Sequence, residues 1–131
     1  MNRPEETLHR AAVAYLRAAL PAPWFCAHIP NGGGRSKAEA GILKALGTLA
    51  GMPDLLLFGP ERSVVAIEFK APPKRLRSGG PSKASPRLSP AQRARQSDLG
   101  ACGVPYLVID DVAEMVRALK ALGVPLRGRA L

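Results

Sequence analysis

Acidic residues are scarce in this 131-residue chain: ten Asp and Glu stand against nineteen Lys and Arg, a formal net charge of +9. Between Thr7 and Ser97 the imbalance sharpens to fourteen basic residues and only four acids, Glu39, Asp54, Glu61 and Glu68. A surface so short of negative charge suits a polyanionic partner held around a small acidic spot. No basic amphipathic helix with a bulky apolar face appears, which argues against an anionic membrane as that partner. Long hydrophobic runs are missing too: none approaches the ~20 residues that cross a bilayer. The opening Met1-Asn2-Arg3-Pro4-Glu5-Glu6 lacks the apolar core of a signal peptide, so a cytoplasmic location is expected. Cysteine is limited to Cys26 and Cys102, without Cys-x-x-Cys spacing. With two scattered histidines they make no recognisable set for a structural zinc, which takes about four ligands, and buried free thiols are expected.

Hydrophobic residues nevertheless make up 47% of the chain, enough for a globular core. The length suits one domain over residues 1–131, with a single sheet covered by helices. Pro4, Glu5 and Glu6 fit a helix first turn, followed by Leu8, Ala12, Tyr15, Leu16 and Leu20 at helical spacing and stopped by Pro21 and Pro23. Trp24–Ile29 reads as a strand. Ser36 and Glu39 form a capping-box pattern for a helix bearing Ile42, Leu43 and Leu46. Leu55–Phe58 and Val64–Phe69 are apolar strands around the turn Gly59-Pro60. A helix over Ala91–Ala101, a strand at Tyr106–Ile109 and a last helix capped by Asp110 or Asp111 complete the series. This alternation predicts an α/β fold with a mixed sheet flanked by helices.

One segment stands apart. Residues 72–90 hold five Pro, four Ser, two Gly and five Lys or Arg, with no acid. That composition has little apolar surface to bury, so a flexible basic loop is expected. It either serves as a linker or grips phosphates through Lys74, Arg75, Arg77, Lys83 and Arg87, in which case it adds to the salt dependence of binding.

The chemistry concentrates in two motifs. Gly51-Met52-Pro53-Asp54 opens the strand at Leu55, and Glu68-Phe69-Lys70 closes the next one. Side chains alternate along a strand, so Glu68 and Lys70 face one way and Phe69 faces the core. Two carboxylates and an ammonium on neighbouring strands suit a divalent cation and the hydrolysis of a phosphodiester. Gln92 begins the helix after Leu88-Ser89-Pro90; its amide can donate to a phosphate and accept from Lys70 at once. Asn31, with Gly32 to Gly34, could present N–H groups to a phosphate, and Arg35 and Lys37 follow as further candidate nucleic-acid contacts. His28 is the histidine nearest these motifs and is open between a core, a DNA-contacting and a base role.

The motifs Pro53-Asp54 and Glu68-Phe69-Lys70 resemble those of the PD-(D/E)xK nucleases. His28-Ile29-Pro30-Asn31-Gly32-Gly33, Ala50-Gly51-Met52-Pro53-Asp54, Glu68-Phe69-Lys70-Ala71 and Leu88-Ser89-Pro90-Ala91-Gln92 occur in the order of the VRR-NUC family, and the resemblance spans about Glu5 to Gly123. It implies a restriction-endonuclease-like fold and an Mg²⁺- or Mn²⁺-dependent DNA endonuclease of bacterial or phage type. Asp54, Glu68 and the carbonyl of Phe69 would hold the metal, with Lys70 and Gln92 beside it. The resemblance also implies a helix-one acid; Glu5, three residues before the inward-facing Leu8, is preferred over Glu6. Small stand-alone members of the family look like Holliday-junction resolvases, so the resemblance implies a resolvase-like homodimer acting on branched DNA. The alternatives are cleavage of flaps or nicked duplex, or a non-catalytic nucleic-acid-binding module that keeps the fold. The basic connection at 72–90 departs from the shorter family pattern.

Overall fold

The computed structural model describes residues 3–30, 36–72 and 88–128. Asn31, Gly32, Arg35, Lys74, Arg75 and Arg77 lie outside them, as does most of the segment expected to be a basic loop. The elements run α1 (Pro4–Ala19), β1 (Phe25–His28), α2 (Lys37–Ala45), β2 (Leu55–Phe58), β3 (Val64–Phe69), α3 (Pro90–Ala101), β4 (Tyr106–Ile109) and α4 (Val112–Ala121). The four strands form one mixed sheet in the order β1-β2-β3-β4. The first two pairings are antiparallel and β3–β4 is parallel. A parallel neighbour cannot be reached by a tight turn, and α3 supplies the crossover. β3, which carries the second motif, is an interior strand.

Each sheet face has its own fate. Leu55 and Leu57 of β2, Val65, Ile67 and Phe69 of β3, and Ile109 of β4 point to one side. There they bury against Leu8, Ala12 and Leu16 of α1 and Met115 and Leu119 of α4. These helical residues recur every three or four positions, so one stripe of each helix enters the core. Among the described residues the opposite face, with Leu56, Ala66, Glu68, Tyr106 and Val108, is covered only in part, by α3, which has no fully buried residue.

Side-chain caps mark three helix starts. Ser36, Ser89 and Asp111 each accept a bond from the backbone N–H three residues on, and at Ser89 the Gln92 side chain completes a reciprocal capping box. Asp111, not Asp110, is therefore the last cap. One expectation needs correction. Cys102 is exposed and Cys26 only half-buried, because Cys102 lies just past the end of α3 on its solvent side. Helix α2 buries none of its residues: Ile42 and Leu46 are 61% and 77% exposed, since no strand or helix covers their stripe among the described residues.

Candidate metal centre

The acidic spot forms where the end of β3, the start of β2 and the first turns of α1 and α3 meet. The ladder between β2 and β3 runs out at Leu55↔Ile67. Beyond it the N–H of Phe69 would lack a strand acceptor, and the Asp54 side chain supplies one: Phe69 N donates to Asp54 Oδ2 at 2.8 Å. The carbonyl of Asp54 is fixed from the other side. It accepts from Ile29 N at 2.9 Å and from His28 Nδ1 at 2.6 Å. Asp54 is thus held through both its backbone and its carboxylate.

Glu68 lies on the half-covered sheet face and is only 2% exposed. Its Oε2 accepts from Gln92 Nε2 at 3.1 Å. Its Oε1 is sealed from solvent and has no hydrogen-bond partner among the described residues. Glu5, Asp54 and Glu68 each offer a carboxylate oxygen, and the three atoms lie within 4.8 Å of one another. Three carboxyl groups so close repel one another when ionised. Burial, followed by the negative charge of Asp54 close by, pushes the Glu68 carboxyl up to about 8; Glu5 adds to the rise and Lys70 opposes it. A divalent cation would satisfy the same oxygens, including the orphaned Oε1, and remove the repulsion. Hard oxygen donors of this kind suit Mg²⁺ or Mn²⁺. The residues fit such an ion.

Lys70 sits on the same side as Glu68, with its ammonium 4.0 Å from Glu68 Oε2. Gln92 ties the two together. Its Oε1 accepts from Lys70 Nζ at 3.0 Å and from Ser89 N at 2.8 Å, while its Nε2 donates to Glu68. The capping box that starts α3 therefore also aims the Gln92 amide. Gly51 makes this approach possible: its φ is +81°, and a Cβ there would collide with the backbone of Ala91. Asp54 lines two openings. One, of about 580 Å³, is bordered by Arg3, Glu5, His9 and Ala71; the other, of about 280 Å³, by Gly51, Glu68, Ser89 and Gln92.

Among the described residues, then, Glu5, Asp54, Glu68, Lys70 and Gln92 converge, and the Phe69 backbone joins them through Asp54. Glu6 is turned outward to Arg10, 3.4 Å away. Lys37 is exposed at the first position of α2. The sequence reading missed His9. Its ring centroid lies 4.7 Å from those of both His28 and Phe69, so it packs against the two residues that bracket Asp54. Burial lowers its affinity for a proton, with Asp54 opposing and His28 reinforcing that shift. Its position four residues after Glu5, one turn along the same helix face, was the available signal.

A solved structure named "VRR_NUC domain protein" superposes on this chain with a TM-score of 0.67, covering 95% of this chain and 93% of the other. The two share a fold. Their sequences are 17% identical, so the likeness lies in the architecture. The α/β, restriction-endonuclease-like arrangement of a mixed sheet flanked by helices is the one expected from the motifs. No family model and no curated protein matches the sequence.

Proposed function

We propose that this chain is a nuclease of the VRR-NUC type that hydrolyses phosphodiester bonds in DNA with Mg²⁺ or Mn²⁺. The observation that carries the reading is the cluster of Glu5, Asp54 and Glu68 oxygens within 4.8 Å, with Glu68 Oε1 buried and unpartnered among the described residues and the Lys70 ammonium 4.0 Å from Glu68 Oε2. The shared fold and the charge of +9 support it.

Asp54, Glu68, Glu5 and the carbonyl of Phe69 would hold the cation. When bound, it supplies positive charge that offsets both the carboxylates and the phosphate and makes water more acidic. Lys70 donates to a non-bridging phosphate oxygen or to the attacking water, and its charge counters the negative charge that builds during attack. Gln92 holds the Lys70 ammonium and the Glu68 carboxylate in fixed relation, so neither has to reorganise. His28 locks the Asp54 carbonyl. Asn31, Gly32, Arg35, Lys37, Lys74, Arg75 and Arg77 are the proposed backbone contacts; such contacts position a strand without reading its bases.

The finer reading is a homodimer acting on branched DNA, with two sites to cut two strands symmetrically. Labelled four-way junction, flap, nicked duplex and single-stranded DNA, each incubated with Mg²⁺, Mn²⁺ or EDTA, test substrate and metal together. Asp54→Ala or Glu68→Ala abolishes cleavage while leaving DNA binding intact. Lys70→Ala loses about 10²-fold or more in rate yet retains the metal. Wild-type cleavage by Asp54→Ala in Mg²⁺ or Mn²⁺ would refute the assignment. Tight DNA binding without cleavage in either metal would favour the non-catalytic module.

A further inference from the structure

Tyr106 begins β4 on the half-covered face of the sheet. The parallel register pairs Ala66 with Tyr106 and Glu68 with Val108, and side chains two apart share a face. Tyr106 and Glu68 therefore point to the same side, where α3 lies over the sheet. The Tyr106 hydroxyl is sealed from solvent and has no hydrogen-bond partner among the described residues. The same holds for Glu68 Oε1. Two buried polar atoms on one face of adjacent strands, neither with a partner among the described side chains or backbone, call for a partner of another kind, because an unsatisfied buried polar group is costly. Phenylalanine would fill the same space without that cost, so packing alone does not account for a tyrosine. Burial, then the charges of Glu68 and Asp54, raise the phenol's proton affinity, which places it within electrostatic reach of the acidic cluster.

We propose that Tyr106 is a positioning residue for the metal centre, its hydroxyl donating through one enclosed water to Glu68 and holding that carboxylate turned toward Asp54 and Glu5. A water bound between the two groups satisfies both orphans at once, the usual role of buried water in a protein interior. Glu68 Oε1 has two lone pairs, so it can accept from this water and still face a cation. Gln92 restrains the other oxygen of the same carboxylate at 3.1 Å. Together the two contacts fix the carboxylate's rotation, as outer partners of metal ligands commonly do.

This inference rests on the reading of Glu5, Asp54 and Glu68 as a cation site, and the test separates the two. Mn²⁺ is titrated calorimetrically into the metal-free wild type and into Tyr106→Phe, and both metal-free proteins are melted. The variant should melt at or above the wild-type temperature yet bind Mn²⁺ about tenfold more weakly. A purely structural tyrosine would do the reverse, losing stability without a separate loss of affinity. Equal Mn²⁺ affinity in the two proteins overturns the proposal. No Mn²⁺ binding by the wild type overturns the cation site itself, and the proposal with it. Independently of any variant, a high-resolution crystal structure of the wild type should show a water about 3 Å from both Tyr106 Oη and Glu68; a dry contact there also overturns it.

Discussion

Glu68 faces opposed demands: it is buried beside two other carboxylates, yet a ligand to a cation must be ionised. In the folded, metal-free chain its carboxyl is raised from the usual 4.5 to about 8. The folded form then holds this proton more tightly than the unfolded form. The group's contribution to stability is complete below about pH 4.5 and is lost as the pH climbs through about 8. Glu68→Gln cannot ionise, so it should gain stability relative to wild type across that window. Thermal melts in EDTA at pH 5 and pH 8.5 check this, and an unchanged gap between the two proteins would count against it. Binding of the cation displaces the same proton, so Mn²⁺ affinity should rise about tenfold per pH unit below about pH 8. Calorimetry in buffers of different ionisation enthalpy would detect the released proton directly.

At the scale of elements, the start of α3 couples packing to chemistry. Ser89 caps the helix and fixes Gln92, Gln92 fixes Lys70 and Glu68, and Gly51 lets the preceding loop lie against Ala91. Gly51→Ala brings both a left-handed backbone penalty and a collision with backbone that cannot swing aside. It should lower the unfolding free energy by about 2 kcal/mol or more in urea titrations. It should also weaken Mn²⁺ binding, because α3 can retreat only by taking Gln92 with it. Ser89→Ala removes one cap, worth about 1 kcal/mol, and leaves the Gln92 amide less well aimed. If Gly51→Ala matched wild type in both stability and metal affinity, the contact between this loop and α3 would have no part in holding the site.

At the scale of the whole molecule, the described residues leave apolar surface uncovered away from the acidic cluster. Helix α2 exposes Ile42 and Leu46, Leu49 follows it, and Phe25 of β1 stacks on Phe58 with its own ring largely exposed. Among the described residues no helix is long and apolar enough to cross a membrane. The proposed homodimer gives such surface a use. Light scattering at micromolar concentration should report about twice the 13.8 kDa chain mass. Ile42→Lys combined with Leu46→Lys should shift it to the monomer while leaving Mn²⁺ affinity unchanged. A dimer indifferent to both charges would place its interface elsewhere, and a wild-type monomer on junction DNA would move flap or nick cleavage ahead of junction resolution.

Sequence alone determined the parts of this protein that depend on near neighbours. The two-residue alternation of Glu68, Phe69 and Lys70 set which side chains share a face, and the three-residue offset from Ser89 to Gln92 set a cap. Helical spacing from Leu8 to Leu16 marked the stripe that enters the core. Such patterns are written in local geometry, where the backbone period leaves few choices. Only the tertiary structure decided what meets across long distances in the chain. It turned Glu5 rather than Glu6 toward Asp54 and Glu68, and set the His9 ring against His28 and Phe69. Among the described residues it also left the Ile42 and Leu46 stripe of α2 uncovered. The parallel pairing of β3 with β4 brought Tyr106 beside Glu68, which lies 38 positions earlier in the chain. Nothing in a helical or strand period specifies such a meeting, because it depends on how the sheet is ordered and how closely each helix settles on it.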